Sequence, residues 1–99
     1  MSRGPDAAAL LERRLRIAAE AAGVAIAIVD SAWTPWASAT FNGARHRLSL
    51  WSEDAGFASW LATLPDADLP LRGHLVADLV VANADESTAT IEVLTVEER

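Results

Sequence analysis

At 99 residues, with a formal net charge of −6, no cysteine, 52% hydrophobic and 22% charged residues, the chain has the makeup of one folded domain spanning residues 1–99. The missing cysteines exclude disulfide staples, thiolate metal sites and cysteine nucleophiles, so packing has to hold the fold. The acidic balance disfavours nonspecific nucleic-acid binding, which needs a broad basic surface, and "ARHR" at 44–47 offers only a local basic patch.

All eight basic residues are arginine and there are 21 alanines, a bias that suits a GC-rich bacterial genome. Residues 1–50 hold six arginines against four acids, and residues 51–99 hold two against ten, so the acidity is concentrated in the second half. The opening segment "MSRGPDAAALLERRLRIAAEAAG" carries charges every few residues. It lacks the uninterrupted apolar run of a signal peptide or a membrane span, so the expected compartment is the cytoplasm and no membrane partner is expected.

In chain order, Pro5 and Asp6 precede a run of strong helix formers that stops at Gly23, which predicts a helix with an aspartate N-cap and a left-handed glycine C-cap. Leu11, Leu15, Ala18 and Ala22 repeat at helical spacing as its buried stripe. "VAIAIVD" has the length and composition of a buried strand. Asn42-Gly43 lies between two further strand-like runs and predicts a type I′ hairpin, because both central positions of that turn require positive φ. Ser52 is placed to cap a second helix over "EDAGFASWLATL", ended by Pro65, with Phe57, Trp60, Leu61 and Leu64 on its apolar stripe. "HLVADLVVA" and "TATIEVLTV" read as a closing hairpin.

These elements predict an α+β two-layer sandwich of order α-β-β-β-α-β-β: a mainly antiparallel five-stranded sheet with two helices on one face. That order resembles the core of the bacterial type III secretion chaperones, which are small, acidic and dimeric. The resemblance implies a dimer and assigns no residues.

A two-residue Asn42-Gly43 loop pairs Phe41 with Ala44, Ala39 with His46 and Ala37 with Leu48 on the helix side. It turns Trp36, Arg45, Arg47 and Trp51 outward, with Trp36 diagonal to Trp51 and Arg47. Those four residues are the candidate binding surface, aromatic and cationic, suited to an acidic or aromatic partner, including an acidic segment of another protein. The strands carry apolar residues on both sides while two helices cover one, which makes the sheet face away from the helices the expected interaction surface, for a second copy or a partner protein. The closing hairpin reads with Leu75, Ala77, Leu79 and Val81 beside Ala89, Ile91 and Val93, a register that sets Asp78 against Glu92.

The chemistry-bearing candidates are few. His46 and His74 sit on different strands without metal-ligand spacing, and His74 and Asp78 are about 13 Å apart along a strand, too far to pair. Asp66 and Asp68 lack the remaining ligands of a calcium loop, and no serine elbow or phosphate loop is present. No cofactor, metal or catalytic set is assigned. The expected function is a non-enzymatic interaction module. A small-ligand pocket near Trp33 and Trp36 is the alternative, and an enzyme built on His46 is the least supported.

Overall fold

The computed structural model describes residues 7 to 98. The elements are α1 (Ala7–Ala21), β1 (Ala27–Ala37), β2 (Asn42–Trp51), α2 (Phe57–Thr63), a 3-10 turn (Leu64–Asp66), β3 (His74–Ala84) and β4 (Thr88–Glu97). One antiparallel sheet of four strands runs in the order β1-β2-β4-β3.

The expected five-stranded sheet and its order α-β-β-β-α-β-β are therefore corrected to four strands and α-β-β-α-β-β, which is not the order that resembled the secretion chaperones. The reason lies between residues 27 and 43. "VAIAIVD" does not end at a turn but continues through Pro35 as one 11-residue strand. Proline is tolerated there because β1 is an edge strand, where the missing amide needs no partner. The chain reverses at 38–41. The Ser38 amide donates to the Phe41 carbonyl at 2.8 Å, and the Ser38 hydroxyl oxygen accepts from the Phe41 amide at 3.1 Å.

Asn42 and Gly43 belong to β2, and among the described residues only Gly23 and Gly73 have positive φ, so no type I′ turn forms at this dipeptide. Gly43 is needed for close approach instead. A Cβ at this position would collide with the Thr95 carbonyl and lie 2.8 Å from the Trp36 indole nitrogen. An aromatic ring over a strand glycine is a recurrent way to cover the backbone that the glycine exposes.

α1 ends as its sequence predicts. Gly23 adopts φ 74°, its amide donates to the Glu20 carbonyl, and the Val24 amide reaches the Ala19 carbonyl at 2.9 Å, which together satisfy two terminal carbonyls. The predicted Asp6 cap lies outside the described residues. The buried stripe is Ala7, Leu11, Leu15 and Ala19, with Ala18 only half-buried and Ala22 exposed.

α2 starts at Phe57 rather than beside Ser52. Ser52 is buried and ties the preceding loop, its hydroxyl donating to the Ala25 carbonyl at 2.6 Å and accepting from the Asp54 amide at 3.0 Å. The Asp54 carboxylate then accepts from the amides of Gly56 and Ala25, so these residues build a turn before the helix begins.

Both helices pack on one face. Leu11, Leu15 and Ala19 of α1 and Phe57, Trp60 and Leu61 of α2 meet Leu48, Leu50, Leu79, Ile91 and Val93 in a single core. Each fully buried leucine there is worth roughly 1.5–3 kcal/mol of transfer free energy.

The closing hairpin departs from the predicted register by two bulges. Ala77 and Ala82 are the extra residues, so Val76 pairs with Thr95, Leu79 with Val93 and Val81 with Ile91, while Leu75 turns outward. The like-charge clash disappears, because Asp78 comes opposite Leu94 and Glu92 opposite Val80. In the connecting turn the Asp85 carboxylate accepts from the amides of Ser87 and Thr88 and from the Thr88 hydroxyl. The Thr88 amide first, then its hydroxyl and the Ser87 amide, hold the Asp85 carboxyl below the ordinary aspartate value.

Candidate functional site

The registers arrange the face away from the helices into transverse rows. The first row crosses all four strands with Trp36, Gly43, Val96 and Leu75. The second carries Thr34, Arg45, Leu94 and Asp78, and the third Ala32, Arg47, Glu92 and Val80. The fourth is polar, with Asp30, Ser49, Thr90 and Asn83, and Trp51 stands in a fifth between Ala27 and Thr88. None of these residues belongs to the core cluster or packs against it. Leu75, Val80 and Trp51 are among the exposed large hydrophobic residues of the molecule.

Trp36, Arg45, Arg47 and Trp51 thus all stand on the outer face, the side that sequence alternation assigned them, but they do not form one cluster. The pairing of β1 with β2 is offset from the expected one: Ala37 faces Asn42 and Trp36 faces Gly43, where Leu48 and Ser49 were expected. Trp36, Arg45 and Arg47 follow one another along neighbouring rows. Trp51 is eight residues from Gly43 on β2, about 27 Å away at strand rise. Arg47 forms an ion pair with Glu92 at 3.6 Å, both side chains largely exposed. Such a pair contributes at most about 1 kcal/mol. The Trp36 indole N–H is buried over Gly43 without a hydrogen-bond acceptor.

The edges of the sheet are interrupted. β1 has a bulge at Val29 and Pro35 further along, and β3 has the bulges at Ala77 and Ala82. Bulges and prolines break the regular row of unpaired backbone groups that another strand needs, so extension by strand addition is disfavoured at both edges. The outer face is what remains open, with a shallow concavity of about 430 Å³ over Arg45, Arg47, Asp78, Val80, Glu92 and Leu94.

A cavity of about 420 Å³ lies on the other side, between the first turn of α1 and the end of the sheet nearest the 38–41 turn. Trp33, Pro35, Ala7 and Ala8 form apolar walls, with His74, Glu97 and Glu98 also in its lining. Trp33 is half-exposed on this face, and Trp36 is not part of the lining, so the two tryptophans serve opposite sides of the sheet. His46 lies in the lining, buried, with Nε2 2.9 Å from the Thr95 hydroxyl oxygen. That hydroxyl is itself within 3.4 Å of the Ala44 carbonyl. The imidazole, the hydroxyl and the carbonyl are thus linked in one hydrogen-bonded chain.

Thr95 lines the same cavity as His46, a buried residue held between the imidazole and the Ala44 carbonyl. Sequence reasoning passed over Thr95. Its signal was available: a hydroxyl at an inward position of an otherwise apolar alternation, Ala89, Ile91, Val93, calls for a buried partner. Among the described residues, no group of three or more histidines and carboxylates comes together to hold a metal ion. No helix there is long and apolar enough to cross a membrane.

In comparison with known proteins, no family model matches the chain, and no curated protein or solved structure matches it at a significant level.

Proposed function

We propose that the protein is a non-enzymatic interaction module that docks another folded protein surface on the outer face of its sheet. The observation that carries this reading is the row Trp36, Gly43, Val96, Leu75, an apolar band across all four strands at one end of the sheet, bordered on its inner side by a row that carries Arg45 and Asp78. An apolar band edged by charge is the composition of a recognition surface: burial supplies the affinity and the charges set orientation. Disruption of both sheet edges supports a face rather than an edge as the meeting place.

Because the chain has no cysteine, single thiols report on each surface separately. Thr34→Cys on the outer face is expected to react with a maleimide several-fold more slowly in cells that make the protein than in dilute purified form. Ala62→Cys on α2 is expected to react alike in both. Equal reactivity of Thr34→Cys in the two settings would remove the reading.

The cavity beside Trp33 supports a second reading, a site for a small, mainly apolar molecule held by the indole wall. The expected result is a quench of tryptophan fluorescence on titration with such a compound, lost in Trp33→Phe. Binding that survives Trp33→Phe unchanged would place the ligand elsewhere.

A further inference from the structure

We infer that the partner of the outer face is a second copy of this chain, docked face to face about a two-fold axis that runs parallel to the strands between β2 and β4. This rests on the reading of that face as a docking surface and names its occupant.

The inference follows from the order of side chains in the rows. A two-fold axis along the strands and midway across the sheet exchanges β1 with the partner's β3 and β2 with the partner's β4, and keeps each row opposite itself. In the third row, the middle of five, Arg47 then faces the partner copy's Glu92 twice, once on each side of the axis. In the same row Ala32 faces Val80, and in the first row Trp36 faces Leu75 and Gly43 faces Val96. Every apolar residue of those two rows meets an apolar residue or the glycine, and the charged pair meets its opposite. Aligned sheets cross at about 30°, which displaces facing residues least at the centre, where Arg47 and Glu92 stand.

The charge balance agrees. The outer face carries Arg45 and Arg47 against Asp30, Asp78 and Glu92, within one charge of neutral in a chain of net −6. The acidic excess lies elsewhere, including Asp66, Asp68, Glu97 and Glu98, so it opposes the approach of two such faces less than the same charge on the face itself would. Four strands about 4.8 Å apart and five rows about 6.8 Å apart give roughly 600 Å² per copy. Two copies bury about 1,200 Å², the lower end of specific interfaces and the size of a weak, reversible dimer.

The test uses charge reversal and mixing. Sedimentation velocity of the wild-type chain, loaded from about 10 to 500 µM to span micromolar affinities, is expected to show a concentration-dependent dimer. Arg47→Glu alone and Glu92→Arg alone are each expected to sediment as monomers, because four like charges then meet at the centre. Mixed one to one, the two variants are expected to form a heterodimer, since each glutamate again faces an arginine of the other chain. Pairing within a chain gives no such recovery on mixing.

Circular dichroism checks that the variants fold, and Leu75→Glu, at an exposed position, is a second disruption expected to give a folded monomer. A wild-type chain that is monomeric throughout would overturn the inference. So would a dimer indifferent to both reversals, because another surface then makes it. A monomer whose Thr34→Cys remains protected in cells overturns the second copy as occupant and leaves the docking face standing, whereas a monomer without that protection ends both.

Discussion

The two faces of the sheet are made by the same four strands, residue by alternate residue, and they are built on different terms. The inner face presents Leu48, Leu50, Ile91, Val93 and Leu79 to two helices, and its one buried polar pair, His46 and Thr95, is hydrogen-bonded. The outer face keeps an apolar row at one end, an arginine and glutamate pair in the middle and hydroxyls beyond. One face spends its apolar surface on the fold. The other leaves Leu75 and Val80 in solvent, where they contribute little to holding the monomer together and are available to another molecule.

That contrast sets the expected order of mutational effects. Leu48→Ala, at a fully buried site, is expected to cost about 2–5 kcal/mol in denaturant unfolding, whereas Val80→Ala in the outer third row should change monomer stability by no more than about 0.5 kcal/mol. Similar losses at the two sites would erase the distinction between the faces. Gly43→Ala comes next, with an expected cost of about 1–3 kcal/mol, because the added methyl meets the Thr95 backbone and the Trp36 indole rather than open space. If it folds with wild-type stability, the glycine is not required for close approach.

Trp36→Phe is expected to be smaller still and to fall near zero. It removes apolar contact but also the indole N–H that has no acceptor, and an unpaired buried donor is costly. A loss comparable to that of Leu48→Ala would show Trp36 to be part of the core. The smallest effect belongs to the exposed turn. The Asp85 pKa is lowered in the folded state, so its contribution is complete above the unfolded-state value and is lost as pH falls through the folded one. Asp85→Asn should therefore unfold more readily than wild type at pH 7, with a gap that narrows below about pH 4. A gap independent of pH would contradict the role of the carboxylate charge.

What the sequence made legible follows the same division. Helix 1 and its glycine stop, the helical stripe with Phe57, Trp60 and Leu61, and the side of the sheet taken by each residue of β2 are all present in local pattern, because spacing and cap chemistry act over a few residues. The faces survived even where the partners did not. The pairing of β1 with β2 is offset by an even number of residues, and strand alternation has a period of two. What local pattern did not reveal was the strand count. Asn42-Gly43 has the chemistry of a tight turn, but Trp36 and Thr95, distant in sequence, need that glycine inside a strand, and Ser38 makes the turn with its own hydroxyl. The bulges at Ala77 and Ala82 were equally invisible, since they are set by pairing with β4. The expected cluster of Trp36 with Trp51 depended on the register and was lost with it.

The claim that the outer face serves association rather than the monomer fold is tested most directly by thermal unfolding across about a 100-fold range of protein concentration, for the wild-type chain and for Leu75→Ala. A state that binds its own copy only when folded gains stability by mass action. The wild-type Tm is expected to rise with concentration and the Leu75→Ala Tm to stay nearly level, with the two curves meeting at high dilution. A wild-type Tm that does not move with concentration, or a Leu75→Ala curve that rises in parallel with it, would contradict the account.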